Sequence, residues 1–233
     1  MNLSPEDIRQ IVIRVFVLVV SVCFHEFGHA YMADRLGDDT PRRQGRVTLN
    51  PLAHADPIGT LLLPIVGAIY AAGGHSIGGF GWGRPVQWQP SRVARKWKMS
   101  TARILVAVAG PSMNVVLAVL VAGIQSVLIS QGVIDPFGRA SQIMFIAVGT
   151  NFILFFFNLV PAPPLDGGHV AEGFMPYKHR STFEQYARFG PFIVLAIAMI
   201  SPLAQIFVIP AKFVASKLYL LMGQDLLAML MNS

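Results

Sequence analysis

The chain has 233 residues, of which 54% are hydrophobic and 13% charged, with a formal net charge of +6. A soluble domain averages about a quarter charged residues, and the mean hydropathy of +0.56 points the same way, so the expected class is a polytopic membrane protein rather than a soluble domain. The single cysteine, Cys23, excludes an internal disulfide and any cysteine-based zinc cluster. The basic excess does not call for nucleic acid, because the Lys and Arg residues gather beside apolar runs, as the positive-inside pattern requires.

The first predicted element is a long helix from Pro5 to Leu36. Ser4 fits its N-cap, Pro5 its first position, Asp7 a capping box and Gly37 its stop. "MNLSPEDIRQ" is mixed in charge and no small-residue cleavage site follows, so the run is expected to persist as a span. At 1.5 Å per residue the helix is about 48 Å long, more than the roughly 30 Å hydrocarbon core, so it must tilt or protrude. Gly37 to Pro57 is polar and carries Arg42, Arg43 and Arg46. Gly59 to Ala72 is apolar but short for a span, which suits a re-entrant hairpin or a strongly tilted helix. In "FGWGRPVQW" large residues alternate from Phe80 to Trp88, a strand period, and Pro85 confines such a strand to a sheet edge.

"SRVARKWKMSTAR" holds Arg92, Arg95, Lys96, Lys98 and Arg103 without an acid and marks the cytoplasmic side. Spans are predicted at Thr101 to Ser130, with a kink at Gly110 and Pro111, at Ile143 to Leu159, and at Phe189 to Val208. The tail from Ala211 to Met231 reads as an interfacial amphipathic helix, with a further span as the competing reading. The fold class is therefore all-α and membrane-embedded. It has about five to six transmembrane or embedded helices and a short strand or re-entrant element. One domain is expected over residues 1–233, with a catalytic core at about 8–170 and C-terminal helices at about 189–231. Charge placement puts both the end of the first helix and "PAPPLDGG" on the cytoplasmic side of the cell membrane.

Three ionisable residues, His25, Glu26 and His29, sit inside the first apolar run. A lone membrane histidine is usually a packing residue. Here, two histidines and a glutamate share one patch, and each is costly to bury unless paired or metal-bound. Residues i and i+4 are neighbours on a helix face, so His25 and His29 can point at one ion. Glu26 is turned about 100° away and sits beside that ion. This is the H-E-x-x-H arrangement, two zinc ligands and a general base. Catalytic zinc usually takes a third protein ligand. Asp166 in "NLVPAPPLDGGHV" is the best candidate, since the prolines end the helix near Leu159 and Gly167 and Gly168 permit a close approach. His169 remains a rival ligand, and a helix N-cap is the structural alternative for Asp166. His54 and Asp56 are expected to cap a turn before Pro57, with a gate or outer-ligand role as the other reading. His75 and His179 are expected at the surface or interface, and Cys23 in packing.

"HEFGH" in an apolar helix, "AGPSMN" (Ala109 to Asn114) and "NLVPAPPLDGG" (Asn158 to Gly168) resemble the signatures of the site-2 protease family of intramembrane zinc metalloproteases. "GRVTLNPLAHADPIG" and "FGWGRPV" are similar to its compact bacterial branch, and the likeness runs from about residue 20 to 170. The resemblance implies one zinc per chain held by His25, His29 and Asp166, with Glu26 as general base. It places Asn114 and Asn158 near the site, holding a substrate carbonyl or orienting other groups. It implies hydrolysis of peptide bonds within transmembrane segments of membrane-protein substrates, and no PDZ or CBS domain for regulation within this chain. The extended segment at Phe80 to Trp88 either pairs with an unwound substrate or plugs the cavity mouth. The alternatives to a protease are a silent zinc-binding membrane scaffold and a membrane hydrolase acting on something other than peptides. Glu26 argues against the scaffold, since metal binding alone does not require it.

Overall fold

The computed structural model describes residues 3–72 and 81–223. Helix α1 (Pro5–Leu36) begins with the expected capping box: Ser4 Oγ accepts from the Asp7 amide, and the Asp7 carboxylate accepts from the Ser4 amide. It ends at Gly37, whose φ of 110° turns the chain left-handed. Two single-turn helices follow, α2 (Thr40–Arg43) and α3 (Pro51–His54). A π-helical turn at Pro57–Leu62 then leads into α4 (Leu63–Ala72). The short apolar element is thus a helix as far as it is described.

A loop at Gly81–Gln89 and a 3-10 turn at Pro90–Arg92 precede α5 (Met99–Ser130), α6 (Arg139–Asn158) and α7 (Asp166–Phe174). The last two are α8 (Arg180–Met199) and α9 (Ser201–Leu221). Among the described residues, four helices are long and apolar enough to cross a membrane: α1, α5, α6 and the part of α9 from Pro202 to Leu221. Helix α5 is the hub, packing most extensively on α1 and α6. Small residues make this possible. Ala118 and Ala122 of α5 meet Val148 and Phe152 of α6 and Ala211, Ala215 and Tyr219 of α9, all buried.

Two expectations need correction. No strand is present among the described residues; Gly81 to Gln89 is an extended loop (Phe80 lies outside them). The alternation is real, but its partner is not a strand: the Trp82 amide donates to the Gly59 carbonyl and the Arg84 amide to that of His54. Trp82 rests against Gly59, where a Cβ would lie 2.4 Å from its ring nitrogen. The second correction concerns the C-terminal region. The apolar run from Phe189 to Val208 is not one helix, because α8 ends at Met199 and α9 starts afresh at Ser201 with Pro202 in its first turn. The described part of the tail, Ala211 to Leu221, is not a separate amphipathic helix. It is the second half of α9, with Ala211, Ala215 and Tyr219 buried and Phe213 and Leu220 on the outer face. Residues 224–231 of that expected helix, and His75, lie outside the described residues.

Candidate metal centre

α1 places His25, Glu26 and His29 on its buried side, where each is at most 9% exposed. α5 presses against this face. Gly28 permits that, since a Cβ there would stand 2.6 Å from the Ala109 carbonyl oxygen. Gly110 does the same for the imidazoles, as its Cβ would lie 2.3 Å from His29 Nε2. The third side chain arrives from the far end of α6. The chain turns through residues 159–165 and enters α7 at Asp166. Gly167 and Gly168 sit against the turn, where a Cβ would meet Leu159 O at 2.3 Å and Pro163 N at 2.5 Å.

The result is a tight triangle. His25 Nε2 is 3.1 Å from Asp166 Oδ2, His29 Nε2 is 3.2 Å from Asp166 Oδ1, and the two Nε2 atoms are 3.1 Å apart. The outer nitrogens are engaged elsewhere. His29 Nδ1 lies 2.7 Å from the Val106 carbonyl, which only accepts, so this nitrogen carries the proton. His25 Nδ1 lies 2.7 Å from Asn114 Oδ1. Both Nε2 lone pairs therefore face Asp166, whose buried Oδ2 has no hydrogen-bond donor. A proton could serve one of these pairs, whereas a cation serves all three groups. Tetrahedral zinc with bonds of about 2.0–2.1 Å needs its donor atoms roughly 3.3 Å apart, and this triangle fits that spacing and donor set. Among the described residues it is the single such cluster of three or more His, Cys, Asp or Glu side chains.

The triangle opens on a cavity of about 880 Å³, walled by α1, α5, the end of α6, α7, α8 and the loop Gly81–Gln89. Glu26 lines it beside His25 and His29. Gly83 passes directly over Glu26, with a Cβ position 3.0 Å from its Oε1 and 2.6 Å from Val22 Cγ1. Asn158 also lines the cavity, although its amide nitrogen donates to Leu154 O. His169 stands apart from the triangle at the cavity edge, half-exposed and 3.7 Å from Glu172, which is paired with Arg103. Asp166 is not a cap: the N-cap position belongs to Leu165. Asp56 does cap its turn, accepting from the Ile58 and Gly59 amides. His54 does not; it is buried and bonds Thr48 O, and burial pushes its pKa down. Cys23 is buried, with its thiol on Leu49 O, and His179 is exposed.

The profile of Peptidase family M50 matches residues 13–144 and 127–201. The chain belongs to peptidase family M50, the site-2 protease family. The M50 chain is 37% identical over 81% of its length to a Bacillus subtilis (strain 168) protein named "Putative zinc metalloprotease YwhC", covering 80% of it. It is 31% identical over 82% of its length to "Putative zinc metalloprotease Rip2" of Mycolicibacterium smegmatis, covering 69%. It is 34% identical over 66% to the protein of that name in Mycobacterium tuberculosis H37Rv, covering 55%. No solved structure matches it significantly. Family and relatives' names together speak for a zinc metalloprotease, and the apolar helices for a multi-pass membrane protein.

Sequence reasoning missed several residues that shape this candidate centre. The Val106 carbonyl is main chain and carries no side-chain signal. Gly110 reads as a kink when paired with Pro111, not as room for two imidazoles. Asn151, linked to Asn114, is an amide inside an apolar run, and a polar side chain there was the available signal.

Proposed function

We propose that this chain is an intramembrane zinc endopeptidase that hydrolyses peptide bonds within transmembrane segments of other membrane proteins. The observation that carries the reading is the buried triangle of His25, His29 and Asp166 with Glu26 beside it at the wall of a cavity. His25, His29 and Asp166 hold one zinc per chain, which when bound supplies Lewis-acid polarisation of water and of the scissile carbonyl.

The protein's own groups do the rest. Glu26 accepts a proton from the attacking water and returns it to the leaving nitrogen. Val106 O and Asn114 hold the imidazoles in the orientation that keeps Nε2 free. Asn158, at the cavity wall, is placed to donate to a substrate carbonyl once it releases Leu154 O. The loop Gly81–Gln89 forms the wall along which an unwound substrate strand is held. Its amides at Trp82 and Arg84 are tied to Gly59 and His54, and Gly83 faces Glu26. The basic segment Arg92 to Lys98 supports a site nearer the cytoplasmic face of the cell membrane.

The test is a purified-component assay in proteoliposomes. A single-span protein is offered to the wild type and to Glu26→Gln, with and without chelator. The reading expects a cleavage product from within the span, lost with chelator and restored by zinc, and absent with the variant. Cleavage outside the span only, or cleavage that survives Glu26→Gln, overturns it.

A further inference from the structure

We propose that Asn151 of α6 is a positioning residue which, with Ser21 of α1, fixes the proton of His25 on Nδ1 by locking the orientation of the Asn114 amide. This rests on the reading of His25 as a metal ligand. It concerns two residues, Asn151 and Ser21, that lie outside the ligand set and touch neither the cavity nor the metal triangle.

The three residues are fully enclosed: Asn114 and Asn151 are 0% exposed and Ser21 is 1% exposed. Asn114 Oδ1 faces His25 Nδ1 at 2.7 Å. Asn114 Nδ2 spends its two hydrogens on Ser21 O at 3.2 Å and Asn151 Oδ1 at 2.9 Å. Asn151 Nδ2 spends its own on Ser21 Oγ and the Ala147 carbonyl, both at 2.9 Å. Ser21 Oγ in turn donates to Val17 O at 2.8 Å. Every polar hydrogen in the chain of bonds has one acceptor.

The polarity of this chain is set by main-chain carbonyls, which cannot turn over. Were Asn114 alone reversed, its oxygen would face Ser21 O and Asn151 Oδ1, two acceptors. Were Asn151 reversed with it, Asn151 oxygen would face Ala147 O, and Asn114 oxygen would still face Ser21 O. Both reversals leave buried acceptors opposed, each costly to bury unpaired. The arrangement with an oxygen toward His25 is the one that satisfies all partners. An acceptor there requires Nδ1–H, and a neutral imidazole with Nδ1–H has its lone pair on Nε2, the atom facing Asp166 and His29. α6 thereby controls a ligand on α1 through a side chain on α5. A packing role for Asn151 would do none of this, since any side chain of similar volume would serve.

The experiment measures zinc dissociation constants by competition with a chromophoric chelator on detergent-purified full-length protein. The variants are Asn151→Leu and Asn151→Ala. Outer-shell changes typically weaken metal binding about 10–100-fold, and each variant is expected at the lower end. Wild-type affinity in either folded variant overturns the proposal. A measurement that needs no variant is the ¹⁵N shift of the His25 ring nitrogens in metal-free wild type, at a pH where the imidazoles are neutral. The proton is expected on Nδ1, and a proton on Nε2 overturns the proposal. If wild type itself binds no zinc, the metal-site reading fails; if wild type binds and the variants match it, only this inference does.

Discussion

Gly110→Ala is the sharpest perturbation that the geometry suggests. The added methyl would lie 2.3 Å from His29 Nε2, 2.4 Å from His29 Cε1 and 2.9 Å from His25 Cε1. Non-bonded carbon contacts relax at about 3.5 Å or beyond, so the His29 ring must retreat by about 1 Å. It is not free to do so, because Nδ1 is held by Val106 O at 2.7 Å. Metal sites tolerate ligand displacements of about 0.2 Å, and a 1 Å misplacement costs about 100-fold in a catalytic geometry. Zinc affinity is therefore expected to fall at least about 100-fold, or about 2.8 kcal/mol. Gly123→Ala in the same helix is the control, since a Cβ there meets no described atom within 4 Å. It removes a helix-interior glycine and is expected to be neutral or stabilising by about 0.5–1 kcal/mol. The assay is zinc affinity by chelator competition, alongside thermal unfolding of both variants. A Gly110→Ala protein that binds zinc as tightly as Gly123→Ala would refute the reasoning.

Other substitutions separate the roles. Glu26→Gln is expected to retain zinc while cleavage of a transmembrane substrate falls about 10²–10⁴-fold; a loss of bound metal would move Glu26 into the ligand set. Asp166→Ala leaves two protein ligands where catalytic zinc usually has three, so metal content on purification should drop with cleavage. Gly83→Val forces side-chain atoms onto Val22 and Glu26, which a Cβ already approaches at 2.6 and 3.0 Å. Cleavage should fall with zinc content unchanged, and normal turnover would show that the loop does not hold substrate close to Glu26. His54 is held below its ordinary pKa by burial. Its neutral form therefore favours the folded state above about pH 6.5, and that contribution is lost as the pH falls through its folded value. Thermal midpoints should decline more between pH 7 and 5 in wild type than in His54→Gln, and parallel declines would count against it.

The grouping of His25, His29 and Asp166 was largely legible in the sequence, because helical spacing alone brings the two histidines together. The prolines and glycines around Asp166 announce a turn that can carry a carboxylate back. What was not legible depends on partners distant in sequence. An alternating segment looks like a strand until its bonding partner is known. Around Gly81–Gln89 that partner is the turn at His54 to Gly59, whose carbonyls serve only two of the loop's amides. The break between α8 and α9 was readable, since Ser201-Pro202 is a helix-start signal, but the apolar run on either side concealed it. The tail looked interfacial because its polar residues share a stripe. Its opposite stripe of Ala211, Ala215 and Tyr219 meets a groove on α5 and α6 that no local pattern reveals. The same holds for Asn114, whose role lies in three hydrogen-bonding partners on two other helices.

X-ray absorption at the zinc edge tests the central claim most directly. The purified protein is expected to hold one zinc per chain with two imidazole nitrogens and oxygen ligands at about 2.0–2.2 Å and no sulfur. Asp166→Ala should change the oxygen shell while leaving the imidazole scattering. A shell containing sulfur, a single imidazole, or a spectrum indifferent to Asp166→Ala would contradict it.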